Sequence, residues 1–155
     1  MDKLITVNSI SGGKTSSYIA KHYPADYNLF SLVRTTDKNC LFPDKKIRQM
    51  VSDRIGKEFI GTLEEDVIIY TMLDLEQFIG SKITWISGPT FDELTTINKL
   101  NGEVKHLVSN IHRRNCTVNM KILPMANWII DNIGEEMVET RISLSLNEEF
   151  VFERA

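Results

Sequence analysis

Cysteine is scarce in this chain, with Cys40 and Cys116 the only two in 155 residues. Two thiols are too few for a disulfide scaffold or an all-cysteine zinc site, and they point to a reduced, cytoplasmic setting. Proline and glycine are sparse as well, at 4 and 8 residues, which excludes a fibre or a low-complexity chain. No apolar run approaches the roughly 20 residues that span a bilayer. Met1 to Thr6 shows no basic segment leading into a long apolar stretch, so no signal peptide is expected. Excess charge of one sign is also lacking: 18 basic and 21 acidic side chains leave a formal charge of −3. That balance carries no signal for direct nucleic-acid binding or for a polybasic membrane contact. What remains is 42% apolar content, with no repeat and no linker. Residues 1–155 therefore read as one domain with one core.

The apolar pattern sets out the elements. Leu4 to Ile10 reads as a buried strand, broken by Ser11-Gly12-Gly13. A helix is expected over Lys14 to Tyr23, stopped before Pro24, and a second strand over Tyr27 to Val33. Ile47, Val51 and Ile55 place a helix over Asp44 to Ile55, with Gly56 as its stop. Glu64 to Ile79 fits a strand at Val67 to Tyr70, but Ile68, Met72, Leu75 and Ile79 follow helical spacing; a helix is expected, with Thr62 as N-cap. Lys82 to Ser87 reads as a strand, Phe91 to Leu100 as a helix, and Met125 to Ile133 as a helix with Pro124 in its first turn. The tail, Val138 to Phe152, alternates; with a turn near Asn147, residues 137–155 would form a hairpin. Alternating strands and helices predict an α/β fold, an open and mostly parallel sheet with helices on both faces. In such sheets ligands sit at the carboxyl ends of the strands, so the first strand-to-helix turn is the first place to look for chemistry.

That turn reads Ser11-Gly12-Gly13-Lys14-Thr15-Ser16-Ser17. Two glycines let the backbone approach a ligand, the helix that follows offers unpaired N–H groups, and the side chains are hydroxyls plus one lysine. Such a turn donates throughout and contains no acid, which suits a phosphate. The plainer reading is a helix capped by Ser11 after a tight turn. A Walker loop, and with it a small kinase, would need a glycine where Asn8 stands.

A second segment complements the first. From Val104 to Ile130 there is no Asp or Glu, while Lys105, Arg113, Arg114 and Lys121 all fall there. Its residues Arg114-Asn115-Cys116-Thr117-Val118-Asn119-Met120-Lys121-Ile122-Leu123-Pro124 resemble the Arg-x-Cys-Thr-x-x-x-Lys-x-x-Pro signature of proteins similar to phosphoadenosine-phosphosulfate (PAPS) reductases. Ser11-Gly12-Gly13-Lys14-Thr15-Ser16 resembles the Ser-Gly-Gly-x-x-Ser loop of the same superfamily, the PP-loop nucleotide α-hydrolases, with Thr15 where Asp is common. The resemblance covers roughly residues 4–133. It implies an adenine-nucleotide-α-hydrolase-like fold that binds ATP or a sulfonucleotide and acts at its α-phosphate or sulfate end, with Mg²⁺ as helper. It also implies that Ser11, Gly12, Gly13, Lys14, Thr15 and Ser16 hold phosphates, that Arg114 and Lys121 meet a phosphate or sulfate, and that Cys116 and Thr117 line the site. Read from the residues alone, Cys116 is either a reactive thiol two residues from Arg114 or, as is commoner for a lone cysteine, an inert buried hydrophobe. Arg113 is an equal candidate beside Arg114. The C-terminal Glu-Cys-Gly-x-His-like motif of sulfonucleotide reductases has no counterpart, since no cysteine follows Cys116. A nucleotide-binding module without catalysis, acting alone or as a subunit, is therefore the alternative.

Other residues carry less. Arg34 and Thr35 fall at the expected carboxyl end of the second strand, where they would contact a nucleotide. Asp37 and Asp44 flank the following loop, as candidates for ribose or magnesium. Ser87-Gly88-Pro89-Thr90 would line the same crevice. His22, His106 and His112 have no metal-ligand spacing, Trp85 and Trp128 read as core, and Glu64-Glu65-Asp66 as a helix-start charge cluster. The alternating tail suggests a capped sheet edge or a homodimer.

Overall fold

The computed structural model describes residues 3–97, 100–106, 117–134 and 136–143. Its centre is a four-stranded, all-parallel sheet. The strands are β1 (Ile5–Ile10), β2 (Tyr27–Ser31), β5 (Ile83–Ile86) and β8 (Val138–Arg141), in the spatial order β5-β2-β1-β8. Two antiparallel pairs sit outside it: β3 (Arg34–Thr35) with β4 (Gly61–Thr62), and β6 (Thr95–Ile97) with β7 (Val104–His106). The helices are α1 (Lys14–His22), α2 (Lys45–Ile55), α3 (Val67–Ile79) and α4 (Leu123–Asn132). The fold is thus α/β with a parallel sheet, as the alternation of elements predicts.

Local chemistry explains the boundaries. Asp44 caps α2 by accepting from the N–H groups of Lys46 and Ile47, and Gly56 ends it in the left-handed conformation. Gly80 ends α3 in the same way. A single π-helical turn, Val118–Ile122, runs directly into α4, whose first turn holds Pro124. Such turns are uncommon and are frequently found at functional sites.

The two faces of the sheet are unequal. On one face Ala20 of α1, Val51 of α2 and Ile69, Met72 and Leu75 of α3 close over Ile10, Phe30 and Trp85. Each large side chain fully buried there contributes about 1.5–3 kcal/mol, so this face supplies most of the stability. The other face is covered by α4, which touches β2 and β5 and buries none of its residues fully. Gly88 allows its close approach, because a Cβ there would lie 2.6 Å from Pro124 Cγ.

Several expectations are corrected. Phe91 to Leu100 is no α-helix: a capping box between Thr90 and Glu93 closes one 3₁₀ turn, Phe91–Glu93, and the β-branched Thr95-Thr96-Ile97 then enters a strand. Thr62 does not cap α3; it lies in β4, where its hydroxyl accepts from the Glu64 N–H, and the helix starts later at Val67. Val138–Arg141 pairs parallel to β1 and is an edge strand among the described residues, while the turn near Asn147 lies outside them. Trp85 is core, but Trp128 is only half-buried, edge-on to Tyr27 at 5.2 Å.

Candidate functional site

From β1 the chain runs outward to β2 and β5 on one side, and β8 returns to the other side of β1. The crevice beyond β1 and β8 is therefore the topological switch point of the sheet. The turn Ser11-Gly12-Gly13 opens there. Gly12 adopts φ +85°, and a Cβ on it would lie 2.9 Å from Ile68 Cγ2. Glycine is needed twice over at this position, for its torsion and for the approach of α3. Gly13 is the N-cap of α1 at ordinary torsions, and no side chain caps the helix. Ser11 is thus not the cap that the plainer reading gives it.

The hydroxyls of the turn are partly committed. Ser16 Oγ donates to the Gly13 carbonyl, accepts from the Ser11 N–H and pairs with Ser11 Oγ at 3.2 Å. Since its single proton goes to Gly13, Ser11 Oγ is the donor in that pair. Ser16 is buried and saturated, and Ser17 Oγ also donates to Gly13. What faces outward is the first-turn N–H groups at the positive end of the α1 dipole, with exposed Lys14 and Thr15 and no acid in the turn. The oxyanion-binding capacity lies in the backbone more than in the four hydroxyls.

A cavity of about 310 Å³ lies beside this turn, between β1, β8 and α4. Ser9, Ser11, Ser31, Thr140 and Lys121 give it polar groups, and Ile10, Ile122, Met125, Ile129 and Ile142 give it apolar walls. Ser11 and Lys121, from distant parts of the chain, therefore share one cleft. Ser31, at the carboxyl end of β2, donates to the Met120 carbonyl at 2.6 Å and so pins the π turn that carries Lys121. Lys121 forms an ion pair with Glu64. Glu64 is thus more than part of a helix-start cluster, and it brings one anion to an otherwise cationic site. Its second carboxylate oxygen, Oε2, is buried without a hydrogen-bond partner. Among the described residues no three His, Cys, Asp or Glu are grouped to hold a metal.

The other expected site residues fall elsewhere. Arg34 is 8% exposed, and its guanidinium donates to Ser87 Oγ at 2.6 Å and to the carbonyls of Glu58 and Gly88. Burial pushes its pKa below the usual arginine value, with nearby Glu93 opposing that. Thr35 and Thr36 give their hydroxyls, and Thr36 its N–H, to Asp92, whose carboxyl is held below its ordinary range chiefly by the Thr36 N–H. Neither Arg34 nor Thr35 lines the cavity shared by Ser11 and Lys121. Asp37 and Asp44 cap the 3₁₀ turn Lys38–Cys40 and α2 through backbone N–H groups. Ser87, Gly88 and Pro89 line a second cavity on the far side of α4. His22 is exposed and stacks on Tyr18 at 4.1 Å. Thr117 is half-buried just before the π turn, whereas Arg113, Arg114 and Cys116 lie outside the described residues. Cys40 is a half-buried free thiol.

No family model, curated protein or solved structure matches this chain. Among the described residues no helix is long and apolar enough to cross a membrane.

Proposed function

We propose that this protein binds ATP or a sulfonucleotide at the switch point of its sheet, as a PP-loop protein similar to PAPS reductases and within an adenine-nucleotide-α-hydrolase-like variant of the fold. The observation that carries the reading is the cleft lined by both Ser11 and Lys121. Phosphate oxygens meet the N–H groups of Gly13, Lys14 and Thr15 and the positive end of α1. Lys14 and Lys121 supply charge from two sides, joined by Arg113 or Arg114 where the sequence motif implies them. The apolar wall of the cavity takes the less polar part of the ligand. At about 310 Å³ it stands at the small end of ligand pockets, which leaves the phosphates outside on the turn.

The chemistry is adenylyl transfer when ATP is the substrate. An acceptor oxygen bonds to the α-phosphorus, the bond from that phosphorus to the bridging oxygen breaks, and pyrophosphate leaves. The turn amides and Lys14 stabilise charge on the departing oxygens, and loss of one such contact costs about 3 kcal/mol of transition-state stabilisation. Among the described residues the one carboxylate that meets this site is Glu64, and Lys121 already pairs with it, so Mg²⁺ would be held mainly by substrate phosphates and water, where it would neutralise phosphate charge. Incubation with α-labelled ATP and Mg²⁺ tests the reading. Binding that Lys14→Ala weakens supports it, and affinity and turnover unchanged by Lys14→Ala remove the turn from the mechanism.

One observation favours a second reading, binding without turnover. Among the described residues lining the cavity there is no acid, histidine or cysteine to act as base or nucleophile. Binding with no release of pyrophosphate for any acceptor would establish that reading. A cytoplasmic location and a homodimer formed along the β8 edge complete the proposal; a monomeric mass in light scattering would remove the dimer.

A further inference from the structure

The second cavity, about 630 Å³, runs along the outer edge of β5 between the end of α2 and α4. Among the described residues β5 is a sheet edge, and its alternation can be read from its bonds. The Leu32 N–H donates to the Ile86 carbonyl, so Ile86 faces β2 and Ile83, Trp85 and Ser87 face outward. Both ends of this edge are already closed. The Ile83 N–H donates to Glu76, which is paired with Arg54, and the Ser87 carbonyl accepts from Lys57 Nζ at 3.1 Å. Between them the N–H and C=O of Trp85 face the groove, enough to pair with one residue of an added strand.

Among the described residues, three charged ones line the groove, Arg54, Lys57 and Asp131; Arg54 is paired with Glu76, which leaves Lys57 and Asp131 to set the length and direction of what fits. Lys57 stands at the carboxyl end of β5. Asp131 lies at the far end of the groove, because α4 runs from Pro124, against Gly88, towards Trp128, against Tyr27. Seven residues of helix separate Pro124 from Asp131, about 10 Å, and an extended peptide covers that length in about three residues. Trp85, only 3% exposed, also carries an indole N–H with no acceptor.

We infer that this groove binds a short free peptide of about three residues, lying parallel to β5. Its carboxylate meets Lys57, its ammonium meets Asp131, and its central residue exchanges backbone hydrogen bonds with Trp85. The site is separate from the nucleotide cleft and does not depend on that reading.

Both tryptophans of the chain line this groove, so their fluorescence reports occupancy directly. Titration with trialanine should give a saturable change. C-terminal amidation of the peptide should weaken binding about tenfold, the size of one charge-assisted contact, and N-acetylation should do the same. Lys57→Met should match the loss from amidation and make the protein indifferent to it, and Asp131→Asn should do so for acetylation. No saturable change at millimolar trialanine, or equal binding of free and doubly blocked peptide by the unsubstituted protein, overturns the inference.

Discussion

The surroundings of Arg34 and Lys121 look alike in the sequence and differ in the fold. Each is a cation where an anionic ligand is expected. Arg34 is buried and gives its guanidinium N–H groups to a hydroxyl and two carbonyls of the protein. It ties β3 to the loop after β5 and has little left to offer a ligand. Lys121 is about one-third exposed, is held by a single carboxylate, and looks into a cavity. The commitments of a cation, more than its place at a strand end, decide whether it serves the fold or a ligand.

Four measurements can break or sharpen this contrast. Arg34→Met should leave three acceptors without their donor and cost about 3 kcal/mol, seen as a fall in Tm of about 6–12 °C for a chain of this size. Lys121→Met should lower ATP affinity about tenfold or more while lowering Tm less than Arg34→Met does, because Lys121 makes one contact with the protein where Arg34 makes three. If the two variants trade effects, the contrast is wrong. Gly12→Ala should cost about 1–2 kcal/mol through its left-handed torsion, with the contact on Ile68 adding to it. Gly13→Ala, where a Cβ meets only Ser11 Oγ at 3.6 Å, should cost less, about 0.5–1 kcal/mol in urea unfolding, because alanine is the poorer N-cap for α1.

The smallest effect is electrostatic. The Arg54 guanidinium, and after it the Ile83 N–H, hold the Glu76 carboxyl below its ordinary value. A depressed folded pKa means that this stabilisation is present above the unfolded pKa, about 4.3, and is lost as pH falls through the lower folded value. Glu76→Gln should therefore lower stability at neutral pH and flatten its acid dependence below about pH 4.3. A slope unchanged in the variant would show that Glu76 does not contribute.

Much of the architecture was legible because periodic burial and strong punctuation coincide. Asp44 and Gly56 bracket α2, and Ser11-Gly12-Gly13 separates β1 from α1. Phe91 to Leu100 was misleading, since its helical spacing of apolar residues competes with a capping box that closes after one turn and with Thr95-Thr96. At the candidate site, nothing in composition or spacing brings the glycine turn to Lys121; only the resemblance of the two motifs implied that Ser11 and Lys121, which line one cavity, belong together. Glu64 was not legible, because Glu64-Glu65-Asp66 has the form of an ordinary helix start and only the fold brings it to Lys121. Ser31 carried a usable signal, as a hydroxyl at the carboxyl end of a central strand. The saturation of Ser16 by its own turn had none.

The central claim is that the amides following Gly12 and the ammonium of Lys121 serve one anion. Titration of ¹⁵N-labelled protein with ATP, followed through backbone amide shifts, tests it most directly. The account predicts that Gly13, Lys14 and Thr15 shift with one common affinity, together with the π turn around Lys121. Shifts confined to other surfaces, or a turn that stays silent while ATP binds elsewhere, would contradict it.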